Sequence, residues 1–186
     1  MCFLIVSNGQ PTIDAAAIAA SAADQMNLSV APIEASPNAS VQGLTGERSW
    51  FWLGRQPSPQ RLTVTVGPEQ VSVLATPSDV TWLFGDGANR LAGAGVPYQA
   101  GEPPADAVVH LYRTRCLPGD QGRDPYVLSR CASNGYQVVA QVTWTFSFTA
   151  TGPLSTSGSL PARTTRSELS YPVSEARGFL EGAASG

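Results

Sequence analysis

His110 is the chain's single histidine, so any imidazole base or ligand chemistry has to run through it. A serine nucleophile served by His110 and an aspartate is one such use. No Gly-x-Ser-x-Gly elbow is present to offer that serine. Asp120 and Asp124 have the types for paired acid and base work, but they lie in a Gly/Pro-rich stretch where solvated loop charge is the ordinary state. Gly85-Asp86-Gly87 lacks the spacing and the lysine of a phosphate loop. Cys116 and Cys131 have no Cys-x-x-Cys partners, and one histidine does not complete a zinc-type set. The expectation is therefore a non-enzyme, with no catalytic residues, no metal and no cofactor.

The cysteines point to a covalent link instead. Cys116 and Cys131 bracket a Pro/Gly/Asp-rich segment, residues 117–130, as a disulfide-closed loop does. Closing such a loop stabilises a fold by roughly 3 kcal/mol in the chain-entropy picture. Two unpaired thiols in a cytosolic protein are the other reading of the same pair. The disulfide reading predicts an oxidising, extracytoplasmic compartment. Cys2 makes the count odd and has no upstream lipobox. The opening Met1-Cys2-Phe3-Leu4-Ile5-Val6 is apolar but short and lacks a positive leading region, so it makes no signal peptide as it stands.

The elements that must position these residues are mostly strands. The 186 residues carry 42% hydrophobic and only 13% charged side chains, with 18 Gly and 15 Pro, a composition of turns, strands and Ser/Thr surfaces. A net charge of -3, with the arginines scattered, argues against nucleic acid. No apolar run reaches the roughly 18 residues of a membrane span. Residues 12–28 read as an alanine-rich helix with Asp14 as N-cap or first-turn acid, packing weakly or outside the core. Residues 29–49, with Pro32, Pro37 and Gly43, read as an extended arm. Trp50-Phe51-Trp52 then forms an aromatic cluster, either docked on the core or exposed as a binding platform.

Alternation follows. Leu62, Val64 and Val66 define one short strand, Val71, Val73 and Ala75 a second, and Val80, Trp82 and Phe84 a third beyond Pro77-Ser78-Asp79. A long Gly/Pro loop leads to residues 107–112. The clearest strand puts Tyr136, Val138, Ala140, Val142, Trp144, Phe146 and Phe148 on one face, which predicts a half-buried antiparallel strand. Residues 160–173 return as its hairpin partner. The organisation expected is residues 1–49 as helix and arm, 50–173 as the β-sandwich and 174–186 as a tail.

Trp82-Leu83-Phe84-Gly85-Asp86-Gly87 resembles the Trp-Asp-Phe-Gly-Asp-Gly signature of PKD (polycystic-kidney-disease repeat) domains. His110-Leu111-Tyr112 resembles their His-Thr-Tyr, and Gly135-Tyr136-Gln137-Val138 resembles the Gly-x-Tyr-x-Val opening their last core strand. The resemblance spans about residues 60–173 and implies an Ig-like antiparallel β-sandwich. Physical reasons stand beside it. Trp82 and Phe84 point inward, Gly85 and Gly87 permit a tight turn at positive φ, and Asp86 accepts from turn amides. His110 and Tyr112 share a face from which their polar atoms can tie that turn down, and Tyr136 has the place of a tyrosine corner. The chain departs from the pattern at Leu83, at Leu111, at the spacing of Gly135, and in the insertion holding both cysteines. Leu83 in place of an acid weakens any calcium site. Together with Gly93-Ala94-Gly95-Val96-Pro97-Tyr98, the order of segments also resembles an actinobacterial secreted or membrane-associated family, which brings no activity with it.

The resemblance implies an extracytoplasmic interaction or spacer module of the cell envelope, contacting a protein partner through residues 91–104, residues 117–130 and the Trp50-Phe51-Trp52 cluster. The alternative is a carbohydrate-binding module, whose exposed aromatics stack on sugar rings. A hydrolase centred on His110 comes after both.

Overall fold

Alternation at a period of two is what a half-buried strand requires, and the computed structural model is accordingly mainly β. It describes residues 5–7, 10–12, 14–120, 131–153 and 155–175. In chain order the elements are β1 Ile5–Ser7, β2 Gln10–Thr12, α1 Ala15–Gln25, β3 Ile33–Ser36, β4 Gly43–Leu44, β5 Arg48–Leu53, β6 Gln60–Val66, β7 Glu69–Leu83, β8 Asn89–Ala92, β9 Val108–Leu111, β10 Tyr136–Thr151, β11 Thr156–Tyr171 and β12 Val173–Ser174. Hairpins β1–β2 and β6–β7 and the sheet β3-β5-β9 are antiparallel, whereas β12 runs parallel to β4. The chain divides into two units, the first drawn from Met1–Ala31, Arg55–Val80 and Gln141–Arg166, the second from Pro32–Gly54, Thr81–Ala140 and Ser167–Gly186.

In the first unit β6 and β7 form a hairpin across Gly67, whose φ of 59° suits a glycine turn. Val71, Val73 and Ala75 are buried on β7, and Val142, Trp144, Phe146, Phe148 and Ala150 on β10, as the alternation of β10 predicts. The neighbouring β11 is polar and largely exposed. Helix α1 starts at Asp14, whose Oδ1 accepts from the N–H of Ala16 at 2.9 Å and of Ala17 at 3.3 Å. It is shorter than residues 12–28, and it is not weakly packed. Ala15, Ala19, Ala22 and Ala23 are buried, an i, i+4, i+7, i+8 stripe on a helix that packs along β6. Alanine contributes little to a hydropathy pattern but lets backbones approach closely, which is why the stripe is faint in the sequence. Arg163 on β11 holds the far end. It donates to the Ala23 carbonyl at 3.1 Å, pairs with Asp24 at 2.6 Å and lies 5.2 Å from the Phe146 ring centre, supplying a cation where helix carbonyls run out of partners.

Strand β7 corrects a second expectation. Instead of two short strands separated at Pro77, it is one strand of 15 residues. Odd positions are buried up to Ala75 and even ones from Val80, so the alternation slips by one residue between them. An extra residue accommodated in this way is the signature of a bulge, a position that tolerates the missing N–H of Pro77. Side chains take over nearby ladder bonds: Thr145 Oγ1 donates to the Thr76 carbonyl at 3.2 Å and Ser78 Oγ to the Thr143 carbonyl at 3.4 Å.

The second unit is a β-sandwich. One layer is β3-β5-β9, with Ile33 opposite Leu53 and Phe51 opposite Val108. The other contains the ends of β7, β10 and β11, with β8 beside β7. Phe51 joins the layers, its ring centre 5.0 Å from that of Tyr171 and 5.9 Å from that of Phe84. Residues 29–49 were expected to be an arm, yet from Pro32 onward they belong to this unit. They contribute β3 as an edge strand, and β4 is fastened by the Gly43 N–H to the Pro172 carbonyl at 2.9 Å. A Cβ on Gly43 would stand 2.8 Å from the Tyr171 ring, so glycine is needed where the chain crosses it.

Candidate functional site

Strand β7 ends in a turn closed by the Phe84 N–H to the Ala88 carbonyl at 3.1 Å. Gly85 and Gly87 take φ of 83° and 97°, in the left-handed region. A Cβ on Gly85 would also lie 2.7 Å from the Gln137 backbone nitrogen, so the close approach to β10 demands glycine as well. Asp86 Oδ1 accepts from the Ala88 N–H at 2.9 Å, and Oδ2 meets His110 Nε2 at 2.7 Å. An ionised carboxylate only accepts, so Nε2 is the protonated ring nitrogen.

The His110 ring stacks on Phe84 with 4.2 Å between centres and 3° between planes, and stands edge-on to Tyr112. The Tyr112 hydroxyl donates to the Phe84 carbonyl at 3.0 Å. Tyr112 stacks on Tyr136 at 4.5 Å, and the Tyr136 hydroxyl donates to the Thr114 carbonyl at 3.1 Å. The turn, His110, Tyr112 and Tyr136 thus come together. Trp82 joins them as a fully buried side chain, its indole N–H donating to the Gly93 carbonyl at 2.9 Å.

Burial sets the electrostatics of Tyr112, Tyr136 and Tyr171. Tyr112 is pushed far above its ordinary value, first by burial and then by the negative charge of Asp86. Burial also raises Tyr136, against an opposing hydrogen bond with Thr114, and Tyr171, whose hydroxyl donates to the Pro37 carbonyl at 3.1 Å.

Cys116 and Cys131 are disulfide-bonded, with Cα atoms 5.5 Å apart. Cys116 exchanges both backbone hydrogen bonds with Val173, at 2.7 and 2.9 Å, which ties β12 to the disulfide. Asp120 is buried and serves the loop. It pairs with Arg115 at 3.2 Å and accepts from the Leu117 N–H at 3.0 Å. Asp124 lies outside the described residues. Reduction is expected to add two hydrogens to the intact mass and to lower the unfolding free energy by roughly 3 kcal/mol. Intact-mass measurement with and without reductant, paired with denaturant titration, checks both; an unchanged mass would exclude the bond.

The aromatic cluster is not a platform. Trp50 and Phe51 are buried and Trp52 is only partly exposed. Phe51 faces the sandwich interior. On the opposite face Trp50 donates to the Val96 carbonyl at 2.7 Å beneath the edge-on ring of Tyr98, and Trp52 donates to Glu34 at 2.8 Å. Trp144 is buried as well. Among the described residues, the large apolar side chains that project furthest are Val41, 73% exposed, Leu91, 67%, Tyr98, 54%, and Leu111, 50%. The Gly/Pro punctuation of residues 93–98 marks that loop, but its cover over Trp50 depends on a contact 46 residues away in sequence.

A groove of about 970 Å³ opens beside the turn, lined by Thr45, Gly46, Asp86, Ala88 and residues 109–114. Among the described residues no serine or threonine hydroxyl bonds to His110, and no group of three or more His, Cys, Asp or Glu stands close enough to hold a metal. Among the same residues no helix is long and apolar enough to cross a membrane. In comparisons with known proteins, no family model, no curated protein and no solved structure matches the chain.

Proposed function

We propose that the chain is a non-catalytic, extracytoplasmic interaction module of the cell envelope, built on a PKD-like sandwich and binding a protein partner through its loops. The observation that carries this reading is the employment of the chemically capable side chains. Asp86 and His110 are bonded to each other and to the turn, and Tyr112 and Tyr136 brace the strands around it. Exposed apolar side chains include Leu91 and Tyr98 on residues 91–104. The disulfide supports an oxidising compartment. Sugar stacking has less to rest on, because Trp50 and Trp144 are buried.

Cross-linking in intact cells, followed by mass spectrometry, tests the reading. A discrete envelope protein is expected, recovered in clearly lower yield when Leu91→Ser and Tyr98→Ser are combined. Equal recovery with both substitutions, or binding to an immobilised glycan panel in place of protein, would overturn it.

A further inference from the structure

Besides residues 91–104, the edge of the β3-β5-β9 layer offers that partner a second contact. The Tyr112 carbonyl accepts from the Gly46 N–H at 2.9 Å, on the β5 side of its chain. In an antiparallel ladder, backbone groups alternate between the two sides. His110 and Val108 therefore also turn toward β5, opposite Ser49 and Phe51. Val109 and Leu111 then turn their N–H and C=O groups outward. Among the described residues β9 has a strand on one side only, so this row of donors and acceptors is an open template.

Three further observations make the edge a site. The groove of about 970 Å³ is lined by both outward-turned residues, Val109 and Leu111, together with Asp86 and Ala88 of the turn. Leu111 is 50% exposed beside it. Arg113 lines the same groove, is exposed, and has no ion-pair partner among the described residues. The other charged group lining it, Asp86, is already bonded to His110 at 2.7 Å. The unengaged charge is therefore positive.

We infer that β9 is a strand-addition site for an extended peptide segment of a partner, whose backbone pairs with Val109 and Leu111 and which carries an Asp or Glu where it passes Arg113. Main-chain bonds supply affinity in this mode of recognition, and side-chain contacts supply selectivity. The ion pair sits in a solvent-open groove and tunes selectivity more than strength. This inference rests on the reading of the chain as a protein-binding module and names its ligand.

The probe is a displayed library of random peptides about ten residues long, roughly a long natural strand. The expected result is enrichment of extended sequences with an acidic residue at a fixed position. Hydrogen exchange at the Val109 and Leu111 amides should slow on binding. Leu111→Pro, which removes one outward donor, should weaken the selected peptides by about tenfold. Arg113→Glu should abolish the acidic preference. Should Leu111→Pro fail to fold, hydrogen exchange on the unaltered protein decides alone.

Enriched peptides that bind with no protection at Val109 and Leu111, or that are lost only with Tyr98→Ser, would overturn the β9 site while leaving the interaction module standing. Slowed exchange at the same amides in the protein alone, accompanied by dimer formation in sedimentation, would assign the edge to a second copy and overturn the peptide ligand. No enrichment at all would count against both readings.

Discussion

Replacing Trp82 by alanine is expected to lower the free energy of unfolding by ~3–5 kcal/mol, measured as a fall in the denaturant midpoint at unchanged slope. The side chain is fully buried, so its removal opens a cavity that the surrounding strands fill only in part. It also strands the Gly93 carbonyl, which loses its indole donor. The two losses fall on the turn as well, because Phe84 two residues on carries the stack beneath His110. A Trp82→Phe variant keeps part of the volume and loses the donor, and should lie between the two. A near-neutral alanine change would contradict the inward direction of this strand end.

The second large effect is alkaline. Tyr112, Tyr136 and Tyr171 are buried, and each is raised above the ordinary phenol value of 10.0. An unfolded chain ionises these phenols near 10.0, while the folded one holds them neutral to higher pH. Above that point the folded state binds more protons than the unfolded, so stability falls as pH rises. Tyr112 removes up to about 1.4 kcal/mol per pH unit in that window, Tyr136 and Tyr171 act in the same direction, and the stability is present in full below it. Phenolate absorbance and near-ultraviolet circular dichroism should therefore change in one cooperative step above pH 10.0. Titration of these phenols at 10.0 with the fold intact would show that they are not sealed.

The parts that were legible in the sequence were those whose physics is local. Strand β10 announces itself because each inward residue, from Tyr136 to Phe148, is apolar, and four of them are aromatic. The Asp86 turn is legible because two glycines and an aspartate at those spacings have few other uses, and the His110 and Tyr112 bonds follow from their shared face. Distant contacts were not legible. Trp50 and Phe51 give the same signal whether exposed or buried, and Val96, Tyr98 and Tyr171 decide the matter. Strands β3 and β8 are four residues each, too short for a period to emerge, and their pairing with β5 and β7 defines them. The alternation of β7 could be followed on either side of Pro77 but not across it, because the slip reverses the parity that makes a strand readable.

That slip sets what kinds of sequence drift the strand can absorb. Substitutions among Pro77, Ser78 and Asp79 change side chains that are not buried, so the identity of these residues is loosely held. Their number is not. Loss or gain of one residue would bring the two halves of β7 into a single parity, turning either Val71, Val73 and Ala75 or Val80 and Trp82 out toward water. The segment behaves as a spacer whose length is fixed while its spelling is free. A comparison of natural variants should therefore find it varied in letters and invariant in count.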